Sequence, residues 1–232
     1  MQLWFQEGGL LMNNLDASAY AFSGIYYYSE FEELLRKITR CYKDMVASDC
    51  QLPNDENKIR DYLFVNYLNN DAVLRNMQFG QYIFAREALE DFGDGRVDLK
   101  IISLNTFENK QAYYIIECKR INSINTQGKT GLNGEYVING MNRFLNEGKY
   151  SSFYGTNGLI GFVVSQLDIQ TNMKEINTLA KAHLVGSYTQ EIQPENFISD
   201  FQYLYSSHHT KENGENIKLY HLMYDVSDKI VN

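Results

Sequence analysis

Proline is scarce in this 232-residue chain: 2 prolines stand among 16 scattered glycines. No Pro-, Gly- or Ser-rich tract is present to act as a linker, which predicts one domain over residues 1–232. Cysteine is scarce too. Cys41, Cys50 and Cys118 cannot all pair, and none stands in a C-x-x-C spacing. That argues against a disulfide framework and a thiolate metal knuckle, and fits a reducing cytoplasm. Long apolar runs are missing as well. Leu159–Val164 is interrupted by Gly161 and falls far short of the roughly 20 residues needed to cross a bilayer, so no membrane association is expected. Met1–Leu15 contains Glu7 and two glycines where a signal peptide would have a basic start and an unbroken apolar stretch. A cytoplasmic protein is expected. Positive charge is also in deficit: 21 Lys and Arg face 29 Asp and Glu, for a net charge of −8. Such a chain is not built to coat nucleic acid non-specifically. Residues 101–150 are the exception, with Lys110, Lys119, Arg120, Lys129, Arg143 and Lys149 against four glutamates.

Hydrophobic residues make up 44% of the sequence, enough for a sizeable core. Ser29-x-x-Glu32 forms a capping box, and Phe31, Leu34, Leu35, Ile38, Tyr42, Met45 and Val46 follow at helical spacing. This predicts a helix over about 29–47. Pro53-Asn54-Asp55 supplies a stop and a new cap for a second helix, with Ile59, Leu63 and Tyr67 on one face, ending near Asn69-Asn70. Glu56 shares that apolar face, an unusual place for a carboxylate. From Gly80 the period becomes two. Strands are predicted over Tyr82–Asp91 and Arg96–Ser103 about a glycine-rich turn at Phe92–Arg96, and a third over Ala112–Ile121. After a loop with Gly128, Gly131 and Gly134, residues 135–147 read as a helix with Tyr136, Gly140, Arg143 and Phe144 on one side. A buried strand at Leu159–Ser165, a helix spanning Met173–Leu184, a short helix near Glu195–Tyr205 and a last strand at Ile217–Val226 complete the pattern. The fold class expected is α/β, a mixed central β-sheet flanked by helices. His208-His209 is expected in an exposed loop, and most of the 18 tyrosines in packing roles.

The chemistry lies on the second and third strands. Alternation sends Val97, Leu99 and Ile101 to one face and Asp98 to the other. On the next strand Glu117 and Lys119 share a face, opposite Ile116 and Cys118. If these strands pair, two acids and one lysine converge. Carboxylates brought so close repel unless a divalent cation lies between them. Mg²⁺ takes a few hard oxygen ligands and leaves room for water and phosphate. The lysine would then hold the attacking water and stabilise charge on the scissile phosphate. Acid-x-Lys is a weak string, and five copies occur, starting at Glu56, Asp98, Glu108, Glu117 and Glu147. Only Glu117-Cys118-Lys119 closes an apolar strand that follows an acid-bearing strand by a hairpin.

Asp98 in Gly-Arg-Val-Asp-Leu-Lys-Ile, then Ile-Ile-Glu-Cys-Lys-Arg, preceded by a helix with an inward Glu56, resembles the PD-(D/E)XK nuclease superfamily. The likeness covers about residues 54–165 and implies a restriction-endonuclease-like core. It also implies Mg²⁺-dependent cleavage of nucleic acid, most readily DNA, with Mn²⁺ able to substitute, in restriction, repair or phage defence. By that resemblance Asp98, Glu117 and the backbone carbonyl of Cys118 would bind the metal. Lys119 would be the catalytic lysine, and Glu56 the acid that the family often places on its first core helix. Two features depart from the family pattern: Val97 stands where proline is common, and no Gln-x-x-x-Tyr follows the lysine. Arg143, Tyr136 and Lys129 are the expected nucleic-acid contacts, and a homodimer or larger complex is expected. The other reading is a nuclease-fold protein that binds or assembles without catalysis, on a partner supplying the basic surface this acidic chain lacks.

Overall fold

The computed structural model describes residues 23–89, 96–146, 150, 153–185 and 187–231. The expected turn at Phe92–Arg96 lies outside them except for Arg96, as do the end of the 135–147 helix at Glu147 and the whole of Met1–Leu15. Helix α1 runs from Ser23 to Ala47 and presents Phe31, Leu34, Leu35, Ile38 and Met45 as one fully buried stripe, the 3.6-residue period at work. A short strand β1 (Leu52–Pro53) leads to α2 (Glu56–Leu63), whose N-cap Asp55 accepts the Lys58 amide. The helix widens into a π turn over Phe64–Leu68, and α3 (Asp71–Asn76) follows a new cap at Asn70.

Next come the edge hairpin strands β2 (Ile83–Leu89) and β3 (Arg96–Ile102), a one-turn α4 (Asn105–Glu108), and the nearly fully buried β4 (Tyr113–Ile121). The following helix is continuous in three pieces: α5 (Leu132–Glu135), a π segment Tyr136–Met141, and α6 (Asn142–Leu145). Strand β5 (Thr156–Val163) is buried at every position, as a strand covered on both faces must be. Helix α7 (Ile169–His183), strands β6 (Ser187–Pro194), β7 (Leu204–Thr210) and β8 (Asn216–Asp225), a 3₁₀ turn and β9 (Ile230–Val231) end the chain.

The main sheet has seven strands in the order β2-β3-β4-β5-β8-β7-β6; β4-β5 and β5-β8 are parallel and the other pairs antiparallel. A two-stranded parallel pair, β1-β9, stands apart. One face of the sheet buries its apolar residues with α1 and α2, the other with the 132–145 helix and α7. The expected mixed sheet flanked by helices is therefore the observed fold class. Among the described residues no helix is long and apolar enough to cross a membrane.

Three expectations fail. Residues 195–203 form no helix. Ile198 and Phe201 have helical spacing and are buried, but Asp200 takes a left-handed φ of 57°, which turns the chain out of a helix after one step. Strands β6 and β7 on either side of that segment were not foreseen. As a result His208-His209 lies on β7 and not in an exposed loop, with His209 only 1% exposed. Third, Val97 does not share a face with Leu99 and Ile101: it packs with Tyr113 and Ile115, they with Ile116 and Cys118 on the opposite face. The cause is a break in the ladder at Asp98, described next.

Candidate active site

The β3–β4 register runs from Ile102↔Tyr113 to Leu99↔Ile116 and stops there. Beyond it the Asp98 side chain takes over the hydrogen bonding, its Oδ2 accepting the backbone N–H of Cys118 at 2.8 Å. On the other side of β3, the ladder to β2 skips from Arg86↔Leu99 to Ala88↔Val97. Glu87, opposite Asp98, has a left-handed φ of 50°. A non-glycine residue held there costs on the order of 1–3 kcal/mol unless its surroundings compensate. The compensation is Arg60 of α2, whose guanidinium binds Asp98 Oδ1 at 2.6 Å, Glu87 Oε1 at 2.7 Å and Asp61 Oδ1 at 2.9 Å. Arg60 is 2% exposed. Burial lowers its pKa, but the hydrogen bond to Asp61 and the charge and hydrogen bond of Asp98 outweigh that and raise it overall.

Glu117 and Lys119 project from the same face of β4, as alternation predicts. Lys119 Nζ lies 2.7 Å from Glu117 Oε1, 2.7 Å from the Cys118 carbonyl, 3.0 Å from Glu56 Oε1 and 3.9 Å from Asp98 Oδ2. Four oxygens from three segments thus surround one ammonium. Glu56 reaches it from the first turn of α2, and its second oxygen accepts the Arg120 amide at 3.0 Å. Burial lowers the Lys119 pKa, while Glu117, Asp98 and Glu56 raise it by more.

Glu117 is fully buried. Desolvation and the charge of Asp98 push its pKa up to about 7 against the opposing pull of Lys119 and Arg143. Its Oε2 lies 2.7 Å from the Tyr150 hydroxyl, which is also 2.8 Å from the Arg96 carbonyl. A phenol has one proton. Both contacts are hydrogen bonds at once only when Glu117 carries a proton and donates it to Tyr150. When Glu117 is ionised, Tyr150 turns its proton to Oε2 and leaves the Arg96 carbonyl to Arg143 Nη1, 3.3 Å away.

Asp98, Glu117, Lys119, Glu56 and the Cys118 carbonyl, predicted from sequence, therefore meet at one point. Arg143 joins them, 3.1 Å from Glu117 Oε1 and 2.6 Å from the Tyr150 hydroxyl, with 40% of its side chain exposed. Tyr136 does not. It is fully buried with its hydroxyl 2.8 Å from His221 Nδ1, so it is a packing residue under the helix, out of reach of a nucleic acid. Lys129 is exposed in the 122–131 loop.

Comparison with protein-family models, curated proteins and solved structures gives no match. The site's own chemistry must carry the reading. Its donors are hard oxygens, the kind Mg²⁺ takes. Among the described residues, no group of three or more His, Cys, Asp or Glu side chains is spaced for a metal ion. The oxygens are instead spaced around the Lys119 ammonium, which stands where a cation belongs. These oxygens are already engaged, Asp98 Oδ2 by the Cys118 amide and Glu117 Oε1 by Lys119 and Arg143.

Arg60 and Tyr150 are the members that sequence reasoning missed. Arg60 had a signal: it stands four residues after Glu56, on the same face of α2. Tyr150 had none, since its place beside Glu117 is set by how the 132–145 helix packs on the sheet.

Proposed function

We propose that this chain is a metal-dependent nuclease that hydrolyses phosphodiester bonds, with DNA as its substrate. The observation supporting the reading is the convergence on Lys119 Nζ of Glu56, Glu117 and the Cys118 carbonyl within 3.0 Å, with Asp98 at 3.9 Å. These are the residues that the resemblance to PD-(D/E)XK nucleases marks out. When bound, Mg²⁺ or Mn²⁺ supplies Lewis-acid polarisation of the phosphate and lowers the pKa of a coordinated water. Lys119, once released from Glu117, would hold the attacking water and balance charge on the phosphate. Glu56, on the rim beside it at 3.0 Å, would keep the ammonium near the reacting atoms. Arg143, half-buried over Glu117, offers a guanidinium to a neighbouring phosphate.

The test is cleavage of plasmid and single-stranded DNA with Mg²⁺ by the wild type, Glu117→Ala and Lys119→Ala. Each variant is expected to lose at least about 100-fold in rate, the scale of a lost acid–base or charge-stabilising group. Unchanged activity in both removes the mechanism.

One observation favours a second reading, a non-catalytic binding or assembly subunit. Each site carboxylate is already engaged by a cation: Asp98 by Arg60, Glu56 by Lys119, and Glu117 by Lys119 and Arg143. That reading predicts no hydrolysis with either metal, and a stable complex when the protein is purified from its own cells.

A further inference from the structure

Helix α7 and strands β6 and β7 enclose a cleft of about 340 Å³, a volume within the range of small-molecule sites. Asn177 fixes its width. Its Nδ2 donates to the Ile192 carbonyl at 3.1 Å, while its Oδ1 accepts the Ile192 N–H at 3.0 Å and the Tyr188 hydroxyl at 2.7 Å. The helix is thereby pinned to β6, and the cleft is preformed. Met173 and Ile192, both buried, and Pro194 give it an apolar lining. Among the described residues Lys174 is the only charged one that lines it, in a chain where acids outnumber bases 29 to 21. Lys174 is exposed and makes no ion pair among the described residues. The nearby Asp168 is occupied as the α7 cap, its two oxygens accepting the Thr171 N–H at 3.1 Å and the Thr171 hydroxyl at 2.9 Å.

Tyr205 is 5% exposed, and its hydroxyl has no hydrogen-bond partner among the described residues. The Tyr205 backbone is held in β7, so its ring is the part that reaches the cleft under α7. The charge of Asp168 acts on the hydroxyl, which places that oxygen by the first turns of the helix, where Lys174 also stands. Burial first, then Tyr203 and Asp168, push its pKa up to about 12. It is a neutral donor without an acceptor, a costly state for a buried group.

We propose that this cleft binds a small aromatic carboxylate, with its ring against Met173, Ile192 and Pro194 and its carboxylate shared by the Lys174 ammonium and the Tyr205 hydroxyl. The acceptor oxygen satisfies the phenol, the negative charge meets a cation in a lining without acids, and the flat ring suits a thioether wall. The cleft shares no residue with the cluster around Lys119, so the proposal stands apart from the nuclease reading.

The experiment is calorimetric titration of the intact protein with indole-3-acetate and its uncharged isostere indole-3-acetamide. Wild type is expected to bind the acid about tenfold more tightly than the amide, the scale of a charge-assisted hydrogen bond. Lys174→Met is expected to abolish that preference. Tyr205→Phe takes no hydrogen bond from the fold, and it is expected to weaken the acid about tenfold at an unchanged urea midpoint. Lys181→Met removes an ammonium of the same helix that is paired with Glu191 outside the cleft, and it is expected to leave binding unchanged. No binding of the acid by wild type overturns the proposal. So does an equal loss in Lys174→Met and Lys181→Met, or a Tyr205→Phe protein that holds the acid as tightly as wild type.

Discussion

With no exposed surface and Asp98 close by, the Glu117 carboxyl takes up a proton near pH 7. Its folded pKa lies above its ordinary value, so the folded state binds the extra proton and stability falls as pH rises from about 4.5 through 7. Metal-free protein at pH 8 therefore bears the cost of an ionised buried acid. Glu117→Gln removes that cost while keeping a group that can accept from Lys119 and meet Tyr150. It is expected to stabilise the metal-free protein by on the order of 1–3 kcal/mol at pH 8 and by close to nothing at pH 4.5. Urea unfolding at the two pH values checks it. Equal stability of the two proteins at pH 8 would mean that Lys119 and Arg143 compensate the charge completely. On the proposed metal-dependent reading, a gain in stability on losing Glu117 is what a site built to receive a cation should show.

The 132–145 helix sets the site's other wall, and one residue fixes how closely it lies on the sheet. A Cβ at Gly140 would sit 3.2 Å from Leu159 Cδ2 and 3.4 Å from Lys119 Cγ. Gly140→Ala must push one of these side chains by a few tenths of an ångström, and Gly140→Leu has no room. We expect Gly140→Leu to cost about 1–3 kcal/mol by overpacking, measurable as a lower urea midpoint. On the proposed nuclease reading, the displaced Lys119 stem in this variant is expected to lower cleavage more than Gly140→Ala does. Equal cleavage by both variants would show that Lys119 does not depend on the helix. The sequence made this element legible through its apolar period, and it made β3 and β4 legible through alternation and the hairpin. Those two signals are local, and they bring Asp98, Glu117 and Lys119 together. Strands β6 and β7 carried no such signal. His208-His209 reads as an exposed loop, yet β7 lies between β6 and β8 and buries Ser206, Ser207 and His209. Their partners come from other parts of the chain as well as from β7: Ser206 Oγ donates to Glu195 Oε1 at 2.7 Å, and Ser207 Oγ lies 2.7 Å from His209 Nε2 and 2.8 Å from His221 Nε2. Tertiary partners of that kind cannot be read from spacing along one strand. Val97 departs from simple alternation where the β2–β3 ladder skips the Glu87–Asp98 pair.

Across the whole molecule, two buried systems pull stability in opposite directions as pH changes. Tyr136, His221, Ser207 and His209 form one chain of hydrogen bonds. Each link needs one proton, so the chain works with both imidazoles neutral, and a second proton on either ring would leave a buried charge among apolar neighbours. Burial pulls both histidines down to about 3, with each ring's neighbouring histidine adding to the effect. For a histidine held below its ordinary value the unfolded chain binds the proton first. Stability is then full above pH 6.5 and is lost as pH falls from there toward 3. Each ring gives a slope approaching about 1.4 kcal/mol per pH unit, and Glu117, which gains a proton on folding in the same window, opposes one of the two. Between pH 6.5 and 5 the wild type should therefore lose about 1.4 kcal/mol per unit. Glu117→Gln, with the opposing group gone, should lose about twice that. Urea unfolding of both proteins at half-unit steps measures the two slopes. Parallel profiles would show that Glu117 is ionised throughout this range in the fold, and a flat wild type with a flat variant would show that the histidines already carry their charge inside the sheet.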